Sequence, residues 1–293
     1  MTTATLITAA RWSALPPAGL PVARLVLGRP APEVAETLPR IFNLCRAAQS
    51  TAVRLALGLP TPSASDDLAN EIRREHLLRL CLIWPQRFGL APVPMQAPDL
   101  HSHLFGAGLP DDVHQLTDFA ASDAGLAPLL AAVMTRFAPQ TAVANGLPVP
   151  TDQSLFSSSP LENSTAARQM AHPLMRDIER LYGRGPLWRV VGRALDLEAL
   201  CVSGWRPEAR VLPDGGVTVP AARGTYAVRA TVRDGRVMDF ARVTPTDHLL
   251  AKNGVMDQTL SSLPPCDQDQ AQAIIDVLDP CAPLTLKERP LDA

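Results

Sequence analysis

The five cysteines, Cys45, Cys81, Cys201, Cys266 and Cys281, are odd in number and contain no C-x-x-C pair. Their spacing argues against a disulfide framework and against a zinc ribbon, and leaves each as a small buried hydrophobe unless something singles it out. A run of about 18 uninterrupted apolar residues is also missing, which argues against a membrane span. Charge of one sign is missing too: 27 Lys and Arg against 29 Asp and Glu give a formal net charge of -2, no footprint for nucleic acid. Residues 1–20 mix Arg11 and Trp12 with prolines, without a compact apolar block behind a basic start. Neither a secretory nor a twin-arginine signal is visible, so a cytoplasmic location is expected. Internal repeats and low-complexity domains are missing as well. What remains is a 293-residue globular chain, 46% hydrophobic and 19% charged, long enough to bury a sizeable core.

Helical periodicity dominates the first two thirds. Pro21 to Gly28 reads as extended, Glu33 to Leu57 as helical with a break at Pro39, and Ser65 or Asp66 caps a helix running to Trp84. Cys45 falls on the inward face of the first helical block, close to a helix N-terminus whose dipole favours a thiolate. Cys81 belongs to an apolar stripe and reads as core. From Ala91 to Pro110 prolines and glycines dominate, and His101 and His103 read as a solvated loop. Leu126 to Phe137 is a short helix, followed by a long loop to Pro160. Further helical blocks run from Ser164 to Tyr182 and from Pro186 to Gly204, and an amphipathic helix from Asp267 to Leu278 stops at Asp279-Pro280-Cys281. The last dozen residues read as surface.

The clearest sheet signal lies at Pro220 to His248. Tyr226, Val228, Ala230 and Val232 alternate with more polar residues, Asp234-Gly235 supplies a tight turn, and Val237, Phe240 and Val243 follow on the return. The mouth of this hairpin carries Arg223-Gly224 on one arm and Thr244-Pro245-Thr246 on the other, a donor-lined concavity. The expected fold is mainly α within the α+β class: a single domain over 1–293, helical over 30–205, with the hairpin and the Asp279-Pro280-Cys281 segment in 206–293.

Three stretches together resemble the large subunit of nickel-iron hydrogenases. Arg40-Ile41-Phe42-Asn43-Leu44-Cys45 with Gln49 is similar to that family's R-x-C-G-x-C-x-x-x-H, and Asp279-Pro280-Cys281 with Leu284 and Lys287 to its D-P-C-x-x-C-x-x-H. Between them, Ala221-Ala222-Arg223-Gly224 resembles the family's A-P-R-G, and Thr244-Pro245-Thr246 its V-P-S/T. Each motif is degraded, and the three occur in the family's order around the hairpin. In that family four cysteines hold nickel, and two of them bridge to an iron bearing carbon monoxide and two cyanides. The resemblance places Cys45 at a bridging position and Cys281 at a terminal one, with Phe42 and Leu284 in place of the other two thiolates. Two thiolates beside an aromatic and an aliphatic side chain do not reproduce a nickel site, so nickel and hydrogen turnover are not expected.

What the resemblance retains is the wall around the iron. Arg223 and Thr246 stand where the family donates hydrogen bonds to the cyanides, flanked by Ala222 and Pro245. A guanidinium facing an anionic cyanide nitrogen makes a charge-assisted bond. The pattern resembles the HupK-type hydrogenase expression/formation proteins, which look like truncated large subunits. That resemblance implies a non-catalytic scaffold or chaperone holding iron with cyanide and carbon monoxide ligands through Cys45 and Cys281. Its implied partners are the hydrogenase large-subunit precursor and hydrogenase maturation proteins. Two other readings stay open: a metal-free interaction protein, in which Arg223 pairs with a carboxylate, and a residual metalloenzyme with a proton path at His76 or His248.

Overall fold

The computed structural model describes residues 10–42, 44–61, 64–202 and 204–289. Asn43 of the first motif, Pro62 and Ser63 of the connector, Ser203 of the helical block ending at Gly204, and residues 1–9 and 290–293 lie outside the described residues.

The helix Pro186–Cys201 is the axis of the molecule, and every residue from Pro186 to Leu197 is buried. A helix apolar on nearly every face belongs inside a core, and its few polar residues must find partners there. Arg189, Arg193 and Asp196, spaced four and three apart, share one face. Arg189 makes two bonds to Glu162 at 3.1 and 3.0 Å, Arg193 reaches Asp279 at 2.9 Å, and Asp196 takes His76 at 2.7 Å. Arg168 adds two further bonds to Asp196, at 3.0 and 2.7 Å.

Around this axis pack the helices Ala64–Leu77, Ala127–Arg136, Thr165–Arg168, Pro173–Tyr182 and Gln268–Leu278, the last four of which share one large hydrophobic cluster. A second cluster joins the amino-terminal helices Val22–Val26, Ala31–Ile41 and Arg46–Ala56 to a four-stranded sheet. Numbering strands along the chain, β1 (Arg11–Leu15) pairs with β6 (Thr285–Arg289), and β2 (Arg210–Val211), β3 (Val217–Ala221), β4 (Gly224–Arg233) and β5 (Arg236–Val243) form the larger antiparallel sheet in that order. Asp234 at φ 52° and Gly235 at φ 71° give the left-handed pair that the Asp-Gly turn of the β4–β5 hairpin requires. The mainly α, α+β expectation holds.

Several local expectations are corrected. Val22–Val26 is helical, not extended: Val22 and Val26, four apart, both face inward, and so short an apolar segment does not distinguish strand from helix by period. Pro39 does not break its helix but sits in the last turn, and the chain leaves the helix at Phe42. The helix expected to Trp84 passes through a π-helical stretch, Leu78–Ile83, into Trp84–Arg87. His101 and His103 lie on a short helix, Leu100–Phe105, opened by the Asp99 side chain accepting from Ser102 N–H, rather than in a loop. A further helix, Val113–Ala120, is capped by the Asp112 side chain accepting from Gln115 N–H. The block from Ser164 is interrupted between Arg168 and Pro173. Beyond the hairpin, β2 and β3 extend the sheet, and the carboxy-terminal surface segment is strand β6 against β1.

Burial lowers the His76 pKa from its ordinary value to about 4, against the pull of Asp196. Because the unfolded imidazole titrates near 6.5, folding favours the neutral ring, so this stability is present above about pH 6.5 and is lost as pH falls toward 4. We expect unfolding by urea at pH 5 to show a loss of about 2 kcal/mol relative to pH 7 from this group, a slope that flattens in His76→Gln.

Candidate functional site

Three chain segments bring the two cysteines together. Cys45 precedes the helix Arg46–Ala56 as its N-cap, in the left-handed conformation at φ 54°. Its side chain gives no cap bond. Glu71 supplies one instead, accepting from the N–H groups of Ala47 at 2.7 Å and Ala48 at 3.2 Å. Such a carboxylate satisfies the orphan donors of a helix start. Gln49, in the position of the family histidine, bonds the Leu44 carbonyl at 2.6 Å and so ties down the Cys45 loop. Cys281 enters from the other side: the helix Gln268–Leu278 ends at Asp279, also left-handed at φ 50°, which swings Pro280 and Cys281 across the site.

The third segment is the β3–β4 turn, Ala222-Arg223. Arg168 holds it through the Ala221 and Gly224 carbonyls at 2.8 and 3.0 Å, and Thr165 through the Ala222 carbonyl at 2.8 Å. Asn163 bonds both backbone groups of Thr225. Gly224, at φ 145°, lies so close to Asn163 that a Cβ would sit 2.5 Å from its carbonyl oxygen.

Arg223 is buried and makes four polar contacts. Its Nε donates to the Asp279 carbonyl at 3.1 Å, Nη2 to Asp279 Oδ1 at 3.1 Å and to Glu75 at 3.4 Å, and Nη1 to Cys45 Sγ at 3.6 Å. Thr246 lies on the helix Pro245–Leu249, whose start is fixed by a capping box between Thr244 and Asp247. Its Oγ1 accepts from the Cys281 N–H at 2.8 Å. Cys45, Cys281, Thr246 and Pro245 line one cavity of about 460 Å³. Arg223 stands behind Cys45, on the wall of a smaller adjoining cleft with Thr246 and Asp279. Ala222 is fully buried, and Ala221 rather than Ala222 contributes to the wall of the large cavity.

The two sulfurs titrate as a pair. A hydrogen bond from the Cys45 thiol, aided by Arg223 and Thr246, lowers Cys281 to about 7 despite burial. The same bond, with burial, raises Cys45 well above the ordinary thiol range. The expectation of a Cys45 thiolate from the helix dipole is therefore corrected. Cys281 takes the negative charge and Cys45 keeps the proton, partly because the Glu71 carboxylate already stands near that helix start. Burial works against the Arg223 charge, but Asp279 and the thiols hold its pKa above the ordinary value.

The two expected histidines lie apart from this pair. His76 is locked to Asp196, and His248 is buried against Asn163 at 3.1 Å. Phe42 lines the cavity, Leu284 packs against the main core, and Lys287 is exposed on β6. Among the described residues, no group of three or more His, Cys, Asp or Glu could hold a metal ion, so the site offers two protein sulfurs. The side chains not anticipated are Glu71, Glu75, Arg79, Arg193 and Arg242. Arg242 shares the cavity, with its guanidinium 3.9 Å from the centroid of the Phe42 ring. Asp279, two residues before Cys281 at a helix end, was the one signal of the buried charge cluster.

The overall fold matches nickel-iron-selenium hydrogenases. Against the as-isolated oxidised enzyme of Desulfovibrio vulgaris Hildenborough the TM-score is 0.57 at 14% identity, covering 94% of this chain and 98% of the other. Against the reduced, active enzyme of Desulfomicrobium baculatum it is 0.58 at 14% identity, covering 94% and 97%. Fold and motifs together define a protein of the hydrogenase large-subunit type. In sequence, the chain is 46% identical over 283 residues to the hydrogenase expression/formation protein HupK of Rhodobacter capsulatus, covering 94% of this chain and 92% of the relative. It belongs to the HupK family of hydrogenase expression/formation proteins. A shorter stretch of 78 residues is 40% identical to the hydrogenase expression/formation protein HoxV of Cupriavidus necator, covering 24% of this chain and 20% of that one. No family model matches the chain.

Two measurements check this geometry. Alkylation of Cys281 by iodoacetamide should rise with pH through a midpoint near 7, and the midpoint should move up toward the ordinary thiol value in Cys45→Ala. Gly224→Ala should destabilise the chain by at least about 2 kcal/mol in denaturant unfolding, through strain at a conformation that suits only glycine.

Proposed function

We propose that this chain is a non-catalytic carrier for the iron fragment of the nickel-iron cofactor. It holds iron bearing two cyanides and one carbon monoxide between Cys45 and Cys281 and passes it to the hydrogenase large-subunit precursor. The observation that supports this reading best is the convergence of both cysteines with Arg223 and Thr246 from four separate segments. The names of its relatives as hydrogenase expression/formation proteins agree with a role in assembly.

The donor set suits such a cargo. One sulfur already favours the thiolate, and the second releases its proton to solvent as the metal binds. Arg223 and Thr246 are the proposed cyanide donors, with Pro245 beside them. Thr246 turns its hydroxyl hydrogen from the Cys281 sulfur to a cyanide nitrogen when the metal takes that sulfur. Two protein ligands hold the fragment without enclosing it, which suits a protein that must release what it binds. Other maturation proteins supply the fragment, and the exchange takes place in the cytoplasm.

A second reading, a metal-free interaction protein of hydrogenase assembly, draws on the carboxylate contacts of Arg223 with Asp279 and Glu75. One experiment separates the two. The full chain, purified without oxygen from cells expressing the maturation genes, should show infrared bands of metal-bound cyanide and carbonyl. Those bands should be absent from Cys45→Ala. A spectrum without bands favours the metal-free reading, and bands indifferent to Cys45 overturn the carrier role assigned to this site.

A further inference from the structure

One charged side chain of the cavity has no part in the carrier reading. Arg242, on β5, shares the cavity wall with Cys45, Cys281 and Thr246. Its guanidinium lies over the Phe42 ring at 3.9 Å from the centroid, and the Tyr226 phenol faces it from β4. The carboxylate of the same cavity, Asp247, is occupied elsewhere, its Oδ2 accepting from the Thr244 N–H at 2.7 Å and the Thr244 hydroxyl at 2.8 Å. No described carboxylate forms an ion pair with Arg242. A guanidinium over an aromatic face keeps its charge and its edge N–H donors.

The placement has a consequence for what the sulfurs can bind. Phe42 and Arg242 line the same cavity as the two thiols, while Arg223 reaches Cys45 from the adjoining cleft. A bare divalent cation approaching the sulfurs meets repulsion from both guanidiniums in a partly desolvated site. A metal whose charge is offset by anionic ligands does not, and those ligands are acceptors for the Arg242 N–H groups.

We propose that Arg242, seated on Phe42, is the specificity-determining residue of the cavity: it admits metal that already carries anionic ligands and repels bare divalent cations. The admission half rests on the carrier reading, whereas the repulsion half stands on the cavity alone.

The test of repulsion is anaerobic titration of the purified full chain with nickel(II), followed by thiolate-to-metal charge-transfer absorption. Arg242→Leu should bind nickel(II) roughly tenfold or more tightly than the parent chain, from removal of one nearby charge. Arg242→Lys, which keeps the charge, should stay near the parent. The gain should vanish when Cys45→Ser is added to Arg242→Leu, which places the new binding at these sulfurs. Equal nickel affinity in the parent and Arg242→Leu, or a gain that survives loss of Cys45, overturns the proposal. The admission half is read by the infrared bands, which should weaken in Arg242→Leu; undiminished bands overturn that half. A parent chain without bands overturns the carrier reading and leaves the nickel comparison decisive for repulsion.

Discussion

One buried carboxylate, Asp279, organises the site. Arg79 reaches it at 2.8 Å from the π-helical stretch, Arg193 at 2.9 Å from the central helix, and Arg223 at 3.1 Å from the β3–β4 turn. Each guanidinium belongs to a different element, so a single side chain fixes their relative positions at the point where the cysteine-bearing loops meet. A buried charge without partners is costly by several kcal/mol, which makes this geometry hard to relax piecemeal. The π-helical stretch fits the same logic, since such insertions redirect side chains and are frequent at functional sites.

The charge balance of this cluster bears directly on the thiols. Arg79, Arg193 and Arg223 face Asp279 and Glu75, and Arg223 is the cation that reaches the sulfurs. An anion is favoured there, and Cys281 supplies it by titrating near neutrality. Cys45 hydrogen-bonds to that thiolate, so the pair is preorganised with one proton between two sulfurs. A ligand that displaces this proton needs no rearrangement of the backbone, because Glu71, Asn163 and Arg168 already hold the flanking segments.

Much of the architecture was legible along the chain. The Asp-Gly turn at Asp234-Gly235, Pro186 at a helix start and the amphipathic period from Asp267 to Leu278 are local signals, and the structure follows them. The failures were equally local in cause. Val22–Val26 is too short for its period to separate helix from strand, and the helix caps Asp99 and Asp112 lie among prolines and glycines that suggested loop. Strands β1 and β6 pair across 274 residues, as between Ser13 and Lys287, a separation at which no local pattern carries information.

At the site the division runs along the same line. The sequence by itself singled out the candidate residues: Cys45 before a helix, Cys281 after Asp279-Pro280, and Arg223 and Thr246 on the arms of one hairpin. Order and residue type were enough, because each motif is contiguous. Only the tertiary structure decided that the thiolate belongs to Cys281 rather than Cys45, that Ala221 rather than Ala222 meets the cavity, and that Arg242 covers Phe42. Those outcomes depend on distances between groups far apart in the chain and on their shared burial. Charge, desolvation and hydrogen bonding act through space, and the chain order of the residues does not contain them.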